Sequence, residues 1–290
     1  MRGLIMDMPL LISSLIEFAA RYHADTELVT RTVEGPIHRY TYADANRRAK
    51  RLANALIGLG VKPGDRIGTL AWNTHRHFEA YYGVSGIGAI LHTINPRLFE
   101  EQLAYIIDHA GDSYLFVDLN LFPLVERLIA KIPTVKGVVV MTDAATMPSS
   151  EKIPNAICYE TLISGEPDRY DWPSFDEKTA SSLCYTSGTT GHPKGVLYSH
   201  RSTILHAYAA ALPDALNLSA KDSILPVVPM FHANAWSLPY VATLTGAKLV
   251  MPGPKLDGAS VYELLESEAV TFTSAVPTVW LMLLGHLRES

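Results

Sequence analysis

The sequence is most informative at Tyr185-Thr-Ser-Gly-Thr-Thr-Gly-His-Pro-Lys-Gly195, which continues the apolar run 181–185. Glycines in this stretch permit tight turns and let backbone N–H groups come close to a ligand. Four hydroxyl side chains lie between Thr186 and Thr190, and Lys194 adds a positive charge. Backbone N–H groups, hydroxyls and one cation form a cradle for a polyphosphate. The stretch therefore predicts a phosphate-binding loop that follows a β-strand.

Two other interpretations of this stretch compete with the phosphate loop. An ordinary surface turn is also rich in glycine, serine and threonine, but it needs far fewer constrained positions than residues 186–195 provide. A Walker A loop has glycine immediately before its lysine, and Pro193 occupies that position here. The stretch thus favours a phosphate loop that differs from those of the standard kinases and GTPases.

Apolar runs and amphipathic stretches alternate on both sides of the loop. They predict strands at 66–72, 89–94, 113–117, 135–141, 181–185, 224–228, 248–251 and 271–275, and helices at 43–59, 78–84, 99–109, 121–132, 159–163 and 278–287. Because the strands are continuously apolar, helices are expected to cover both faces of the sheet. The predicted fold class is α/β, with layered, mostly parallel sheets flanked by helices.

Residues 142–180 differ in composition from the rest of the chain. They contain four prolines and eight acidic side chains, which is typical of a surface connection. The acidic groups are expected to form a solvated surface rather than a metal site. The connection separates two predicted sublobes, residues 1–141 and residues 181–290, and the second sublobe carries the phosphate loop.

Composition and charge exclude several classes of function. The 290 residues have a net charge of −5, whereas a nucleic-acid binder needs a basic face that neutralises phosphates. Cys158 and Cys184 are too few and too far apart for a disulfide framework or a zinc site, which suits a reducing compartment. Asp7 and Pro9 interrupt the apolar N-terminus, so an amphipathic helix is favoured there over a signal peptide. No run reaches the ~18 apolar residues of a membrane span. We therefore expect a cytoplasmic protein without an integral membrane segment.

Several lone histidines and one cysteine are weaker candidates for a site. His75 and His77 offer two metal ligands, but no third ligand is near in sequence, so a solvated surface is favoured. His200 and His206 follow the loop on a predicted helix and are expected to cap or pack. Cys184 ends an apolar strand and is expected to be buried and inert.

Two motifs resemble a known family. Residues 186–195 match Thr-Ser-Gly-Thr-Thr-Gly-x-Pro-Lys-Gly, the signature loop of the adenylate-forming superfamily, and His192 occupies its one free position. Residues 229–236, Pro-Met-Phe-His-Ala-Asn-Ala-Trp, are similar to a segment of bacterial medium- and long-chain fatty-acyl-CoA synthetases. Residues 95–98 and 275–280 also look like that branch. The resemblance covers the whole chain but only the first half of the family's length.

The resemblance implies a reaction and a set of ligands. Family members join a carboxylate to AMP, release pyrophosphate, and then let the thiol of CoA displace the AMP. The substrates and cofactors would be ATP, Mg²⁺, CoA and a fatty acid. Residues that would bind the ATP phosphates are Thr186, Ser187, Gly188, Thr189, Thr190, Gly191 and Lys194, and Thr186 would also reach Mg²⁺. Because one anion attacks another, catalysis needs positioning and charge neutralisation, and no catalytic residue is predicted within these 290 positions.

His232 and Trp236 are the predicted acyl-substrate residues. Their spacing of four places them on one face of a helix, and spacing alone favours two core residues. The resemblance reverses that interpretation: it places the histidine near the acyl carboxylate and the tryptophan as a gate at the mouth of a fatty-acid tunnel. Ala233 stands where a larger aliphatic residue is common in the family, which leaves chain-length preference open.

The family's remaining parts are expected beyond Ser290. These are an adenine-binding segment, a ribose-binding aspartate, a hinge and a C-terminal lid domain that carries the catalytic lysine. We therefore expect the chain to be the front part of a longer ligase, unable to complete adenylation alone. The alternatives are a ligase for an aryl, short-chain or amino acid, and a truncated, non-catalytic module that binds nucleotide or a partner. Family analogy also suggests a homodimer.

Overall fold

The computed structural model describes residues 1, 3–186 and 192–289. Within these residues the strands are β1 (Glu27–Arg31), β2 (Ile37–Thr41), β3 (Arg66–Leu70), β4 (Ile90–Thr93), β5 (Asp112–Asp118), β6 (Gly137–Met141), β7 (Ile157–Cys158), β8 (Ala180–Thr186), β9 (Lys194–Ser199), β10 (Ser223–Pro226), β11 (Lys248–Met251) and β12 (Phe272–Ser274). The α-helices are α1 (Ser13–Tyr22), α2 (Tyr42–Gly58), α3 (His75–Gly86), α4 (Glu100–Ala110), α5 (Phe122–Leu128), α6 (Tyr159–Ser164), α7 (His200–Ala211), α8 (Leu238–Thr245), α9 (Gly258–Ser267) and α10 (Pro277–Glu289).

The strands form two sheets. The larger has the order β7-β6-β5-β3-β4-β8-β9, and the smaller has the order β12-β10-β11-β1-β2. All neighbours are parallel except β8 with β9 and β1 with β2, and these antiparallel pairs place β9 and β2 at the sheet edges. The large sheet buries apolar residues on both faces, as its uninterrupted hydrophobic strands require. The predicted layered, mostly parallel α/β fold is confirmed.

The predicted strands and helices are confirmed within a few residues of their bounds, but the strands β1, β2, β7 and β9 and the helices α8 and α9 were not predicted. Strands β1 and β2 escaped prediction because each contains only two apolar residues, Leu28 and Val29 in β1 and Ile37 and Tyr40 in β2, and so forms no apolar run. Each sheet takes strands from before and after the connection at 142–180. The predicted division into sublobes 1–141 and 181–290 stays a prediction.

The acidic connection is attached to the body by a partly buried ion-pair network. Glu160, at the start of α6, receives two hydrogen bonds of 2.9 Å from Arg48 and one of 2.8 Å from Arg76. Arg48 also donates to the fully buried Glu79 at 2.7 Å. Burial alone would raise the pKa of Glu160, but hydrogen bonds from the two arginines outweigh it and lower the pKa. The expectation of a solvated acidic surface is therefore wrong for Glu160, because tertiary contacts supply its arginines.

A left-handed segment, Ala233–Ser237, precedes α8. Its residues have φ values of 44, 51, 50, 54 and 63°. Non-glycine residues avoid this region, so surrounding contacts must hold the segment. Asn234 supplies them: its buried amide donates to the Ser182 hydroxyl of β8 at 2.9 Å and accepts from the Cys184 thiol at 3.5 Å.

Glu160→Gln is expected to lower the free energy of unfolding at pH 7 by about 1–3 kcal/mol, because two partly buried arginines lose a charged partner. The pKa of Glu160 is lowered in the folded state, so the wild-type advantage is present above its ordinary value of 4.5 and shrinks as the pH falls below it. Urea denaturation between pH 7 and pH ~3.5 measures both effects. Glu151→Gln, at an exposed position of the same connection, is the control and should change little. Equal losses in both variants would contradict the network.

Asn234→Ala is expected to lower the free energy of unfolding by about 1–3 kcal/mol, because it removes two buried hydrogen bonds from the left-handed segment. Asn217→Ala is the matched control, since Asn217 is also left-handed, with φ 51°, but is exposed. The control should lose clearly less stability in the same urea titration. If both variants lost the same amount, backbone conformation alone would account for the effect and the amide bonds to β8 would not matter.

Candidate functional site

The base of the predicted phosphate loop is closed by two strands. Strand β8 ends at Thr186 and β9 begins at Lys194, and these two residues are partners in the antiparallel ladder. The Thr186 hydroxyl donates to the Lys194 carbonyl at 3.5 Å, and both side chains are exposed. The other predicted phosphate ligands, Ser187, Gly188, Thr189, Thr190 and Gly191, lie outside the described residues. The structure thus brings Thr186 and Lys194 together at the mouth of the loop.

A pocket of about 110 Å³ opens beside this mouth. We call it the loop pocket; its walls include Thr93, Asn95, Tyr185, Thr186, Pro193, Phe231 and His232. Parallel pairing of β4 with β8, in which Thr93 lies opposite Cys184, carries residues 93–95 to the same sheet end as Thr186. His232 is exposed and has an extended backbone, with φ −129°. The structure therefore brings His232 and Thr186 to one pocket, although they are far apart in sequence.

A larger cleft of about 350 Å³ adjoins the loop pocket and shares Asn95, Phe231 and His232 with it. We call it the central cleft. Asn73 organises its floor, because its amide donates to the carbonyls of Pro226 and Val228 and accepts from the Met230 N–H at 2.7 Å. These contacts hold the chain that leads to His232.

Arg97 supplies a positive charge at the edge of the central cleft. Its guanidinium lies 5.7 Å from the centroid of the Trp72 ring and 5.9 Å from that of the Phe231 ring. Cation–π contacts of this kind hold an arginine in place while its N–H groups stay accessible. Sequence reasoning missed Trp72, Asn73 and Arg97 as residues of the site. Residues 95–98 carried a signal in the family resemblance, whereas nothing near Asn73 did.

Trp236 lies in a separate pocket of about 370 Å³, the tryptophan pocket, whose walls are Tyr198, Ser202, Thr203, His206, Ala233, Asn234, Trp236 and Ser237. None of these residues lines the loop pocket or the central cleft. The expectation that His232 and Trp236 share a helix face is wrong. Residue 232 is extended and 233–237 is left-handed, so the two side chains reach different pockets. Trp236 is half exposed, at 50%.

The other histidines have structural positions. His75 and His77 are buried in the first turn of α3, so the predicted solvated surface is wrong for both. His77 Nε2 lies 3.0 Å from the Thr69 hydroxyl, and burial lowers the pKa of His77 to about 4, which keeps the ring neutral. His200 accepts the Ile12 N–H at 3.1 Å and packs as predicted, and His206 lies 2.8 Å from the Ser237 hydroxyl.

Cys184 is buried on β8 as predicted, and burial raises the pKa of its thiol, which disfavours the reactive thiolate. Residues 1, 3–186 and 192–289 contain no group of three histidine, cysteine or carboxylate side chains that could hold a metal ion. Across the same residues, no helix has the length and apolar character needed to cross a bilayer.

Two relatives match the chain along almost its whole length. The medium-chain-fatty-acid–CoA ligase of Ectopseudomonas oleovorans is 52% identical over 285 residues, which cover 98% of this chain and 52% of that protein. The 3-methylmercaptopropionyl-CoA ligase of Ruegeria lacuscaerulensis is 50% identical over 289 residues, which cover 100% of this chain and 53% of that protein. The chain spans about half the length of the curated relatives it matches.

Fold comparison and the family match agree with these relatives. The crystal structure of the anthranilate CoA ligase AuaEII in complex with anthranoyl-AMP superposes with a TM-score of 0.83 at 23% identity, over 96% of this chain and 52% of that one. That likeness supports the layered α/β fold. The family described as AMP-binding enzyme matches residues 16–290, which confirms the resemblance seen in the two motifs. The chain belongs to the AMP-binding enzyme family.

Proposed function

We propose that the whole protein that carries this chain activates a fatty acid with ATP and transfers the acyl group to CoA. A carboxylate oxygen attacks the α-phosphorus and pyrophosphate leaves; the CoA thiol then attacks the acyl carbon and AMP leaves. The observation that carries this proposal is the placement of Thr186 and His232 on one pocket at the base of the loop. A relative that is 52% identical and named as a medium-chain-fatty-acid ligase supports the choice of substrate class.

The loop would bind the triphosphate of ATP. Its hydroxyls and backbone N–H groups, from Thr186 to Gly191, hold the β- and γ-phosphates, and Lys194 neutralises the leaving pyrophosphate from the opposite strand. Positioning and charge neutralisation of this kind lower the barrier to attack by one anion on another. Lys194 suits this role because its side chain is exposed at the loop mouth.

Residue Thr186 also fits Mg²⁺ in its usual phosphate-bound form. Among residues 1, 3–186 and 192–289, the Thr186 hydroxyl makes one hydrogen bond, a long one of 3.5 Å to the Lys194 carbonyl. Mg²⁺ commonly takes one or two protein oxygens together with phosphate oxygens and waters. Held by Thr186, the ion would neutralise the negative charge of the phosphates.

The acid would lie with its carboxylate near His232 and its chain directed toward the tryptophan pocket. His232 is exposed to both the loop pocket and the central cleft. Trp236 would supply a flat apolar cover that moves aside, as a gate requires, and its side chain is half exposed. The predicted homodimer and the cytoplasmic location stay predictions.

A shorter acid is the second candidate substrate. A relative that is 50% identical is named as a 3-methylmercaptopropionyl-CoA ligase, and its similarity to this chain nearly equals that of the fatty-acid ligase. The phosphate loop and His232 would serve either acid, so the proposed chemistry is the same for both acids. Chain length depends on the far end of the acyl pocket.

ATP–pyrophosphate exchange by the whole protein, driven by carboxylic acids of graded length, tests the substrate class. We expect fatty acids to stimulate exchange, because an apolar tail gains affinity with each buried methylene, by about 0.8 kcal/mol. Benzoate and 3-methylmercaptopropionate are the comparison acids. Strong exchange with benzoate and none with fatty acids would refute the proposed substrate, and the absence of exchange with every acid would favour a non-catalytic module.

Lys194→Ala is expected to weaken tripolyphosphate binding by this chain about tenfold or more, because a charge-assisted contact to phosphate contributes about 1.5–3 kcal/mol. Isothermal titration calorimetry at low ionic strength measures the dissociation constant. Lys194→Arg should retain much of the affinity, and Lys221→Ala, at another exposed lysine, is the control. Equal affinity of wild type, Lys194→Ala and the control would remove Lys194 from the phosphate site.

A further inference from the structure

Helix α4 lies against both ends of the phosphate loop. Tyr105 and His109 are one turn apart on α4 and therefore share a face. The helix itself is firmly packed, because Leu103, Ile106 and Ile107 are buried in the core between α4 and the large sheet. Residues that contact Tyr105 and His109 are therefore held by a rigid helix.

His109 holds the start of the loop. Its Nδ1 lies 2.7 Å from the phenol oxygen of Tyr185, the residue before Thr186. Burial raises the pKa of Tyr185 to about 12, so the phenol keeps its proton and stays hydrogen-bonded to the His109 ring. On its other side the Tyr185 ring contacts His92, at a centroid distance of 5.1 Å, and His92 is paired with the fully buried Asp112 at 2.8 Å. Tyr185 is therefore held between the helix and the sheet interior.

Tyr105 holds the end of the loop. The ring of His192 stacks on the ring of Tyr105, with centroids 4.7 Å apart and planes at 25°. Tyr105 in turn stacks on His109, at 5.2 Å and 26°. Three rings thus form one continuous stack, which begins on the loop and ends on the residue that binds Tyr185. His192 occupies the one position that the family signature leaves free, so the stack is a feature of this chain rather than of the signature.

We propose that Tyr105 and His109 form a clamp that fixes both ends of the phosphate loop, and that they are positioning residues for polyphosphate binding. The expected effect of the clamp on polyphosphate affinity rests on the proposed function, whereas the contacts that form the clamp do not. A loop that binds phosphate through backbone N–H groups loses affinity when it must first be ordered. Each ring pair of this geometry is expected to shift the equilibrium between the open and the ordered loop about three- to tenfold toward the ordered loop.

Amide hydrogen exchange of the peptide 186–195, without ligand, tests the clamp directly. Tyr105→Leu and His192→Ser are expected to raise its exchange rate about three- to tenfold, because either change breaks the stack. Tyr105→Phe and His192→Phe keep a flat ring and should behave as wild type. Tyr208→Leu, the same change on the exposed surface of α7, is the control. The double variant Tyr105→Leu/His192→Ser should not exceed Tyr105→Leu, since that change already removes the contact with His192.

Tripolyphosphate affinity measured on the same variants tests the consequence for binding. We expect the dissociation constant to rise by up to about tenfold in Tyr105→Leu and His192→Ser, and to stay unchanged in the ring-preserving variants. Unchanged exchange in both stack-breaking variants overturns the clamp, as does equally fast exchange in His192→Ser and His192→Phe. His192 is exposed, so this pair decides the question even if Tyr105→Leu fails to fold. A wild-type chain that exchanges as expected but does not bind tripolyphosphate refutes the proposed function, not the clamp.

Discussion

The antiparallel pairing of β8 with β9 is the constraint on which the rest of the site depends. Every other neighbouring pair in the large sheet is parallel, and parallel strands need long crossover connections. By reversing direction at the sheet edge, the chain returns after residues 187–193 and sets Lys194 opposite Thr186. A loop closed by a ladder at its base has its two ends fixed relative to each other. Parallel pairing on the other side of β8 then carries Thr93 and Asn95 to the same end.

Buried amides complete the arrangement by controlling the segment that crosses the sheet end. Asn73 holds residues 226–230 through their backbone, and Asn234 fastens the left-handed turn to β8. Between these two anchors the chain changes from extended to left-handed, which separates His232 from Trp236. Buried polar side chains need hydrogen-bond partners. Each amide therefore stabilises the one backbone conformation that supplies those partners and disfavours others. The backbone conformation that the two amides stabilise separates the central cleft from the tryptophan pocket.

Sequence reasoning succeeded where a local signal exists and failed where the signal is non-local. The helix predicted at 43–59, the apolar strands and the loop motif all depend on residues close in sequence. The burial of His75 and His77, by contrast, depends on elements that pack over the first turn of α3. Glu160 looks like one more acidic residue of a polar connection until two arginines from other helices are placed beside it. The spacing of four residues between His232 and Trp236 led to the wrong prediction of a shared face, because residues four apart share a face only in a right-handed helix.

The sequence by itself determined the family and the α/β class, because the loop motif and the apolar strands are local patterns of residue types with a direct physical meaning. Only the tertiary structure decided which distant residues meet. Strand order placed His232 beside Thr186, helix packing set Tyr105 and His109 against the two ends of the loop, and the left-handed turn moved Trp236 to another pocket. The physical reason is that contacts between remote segments depend on sheet order and on burial, and neither is a property of any single stretch of chain.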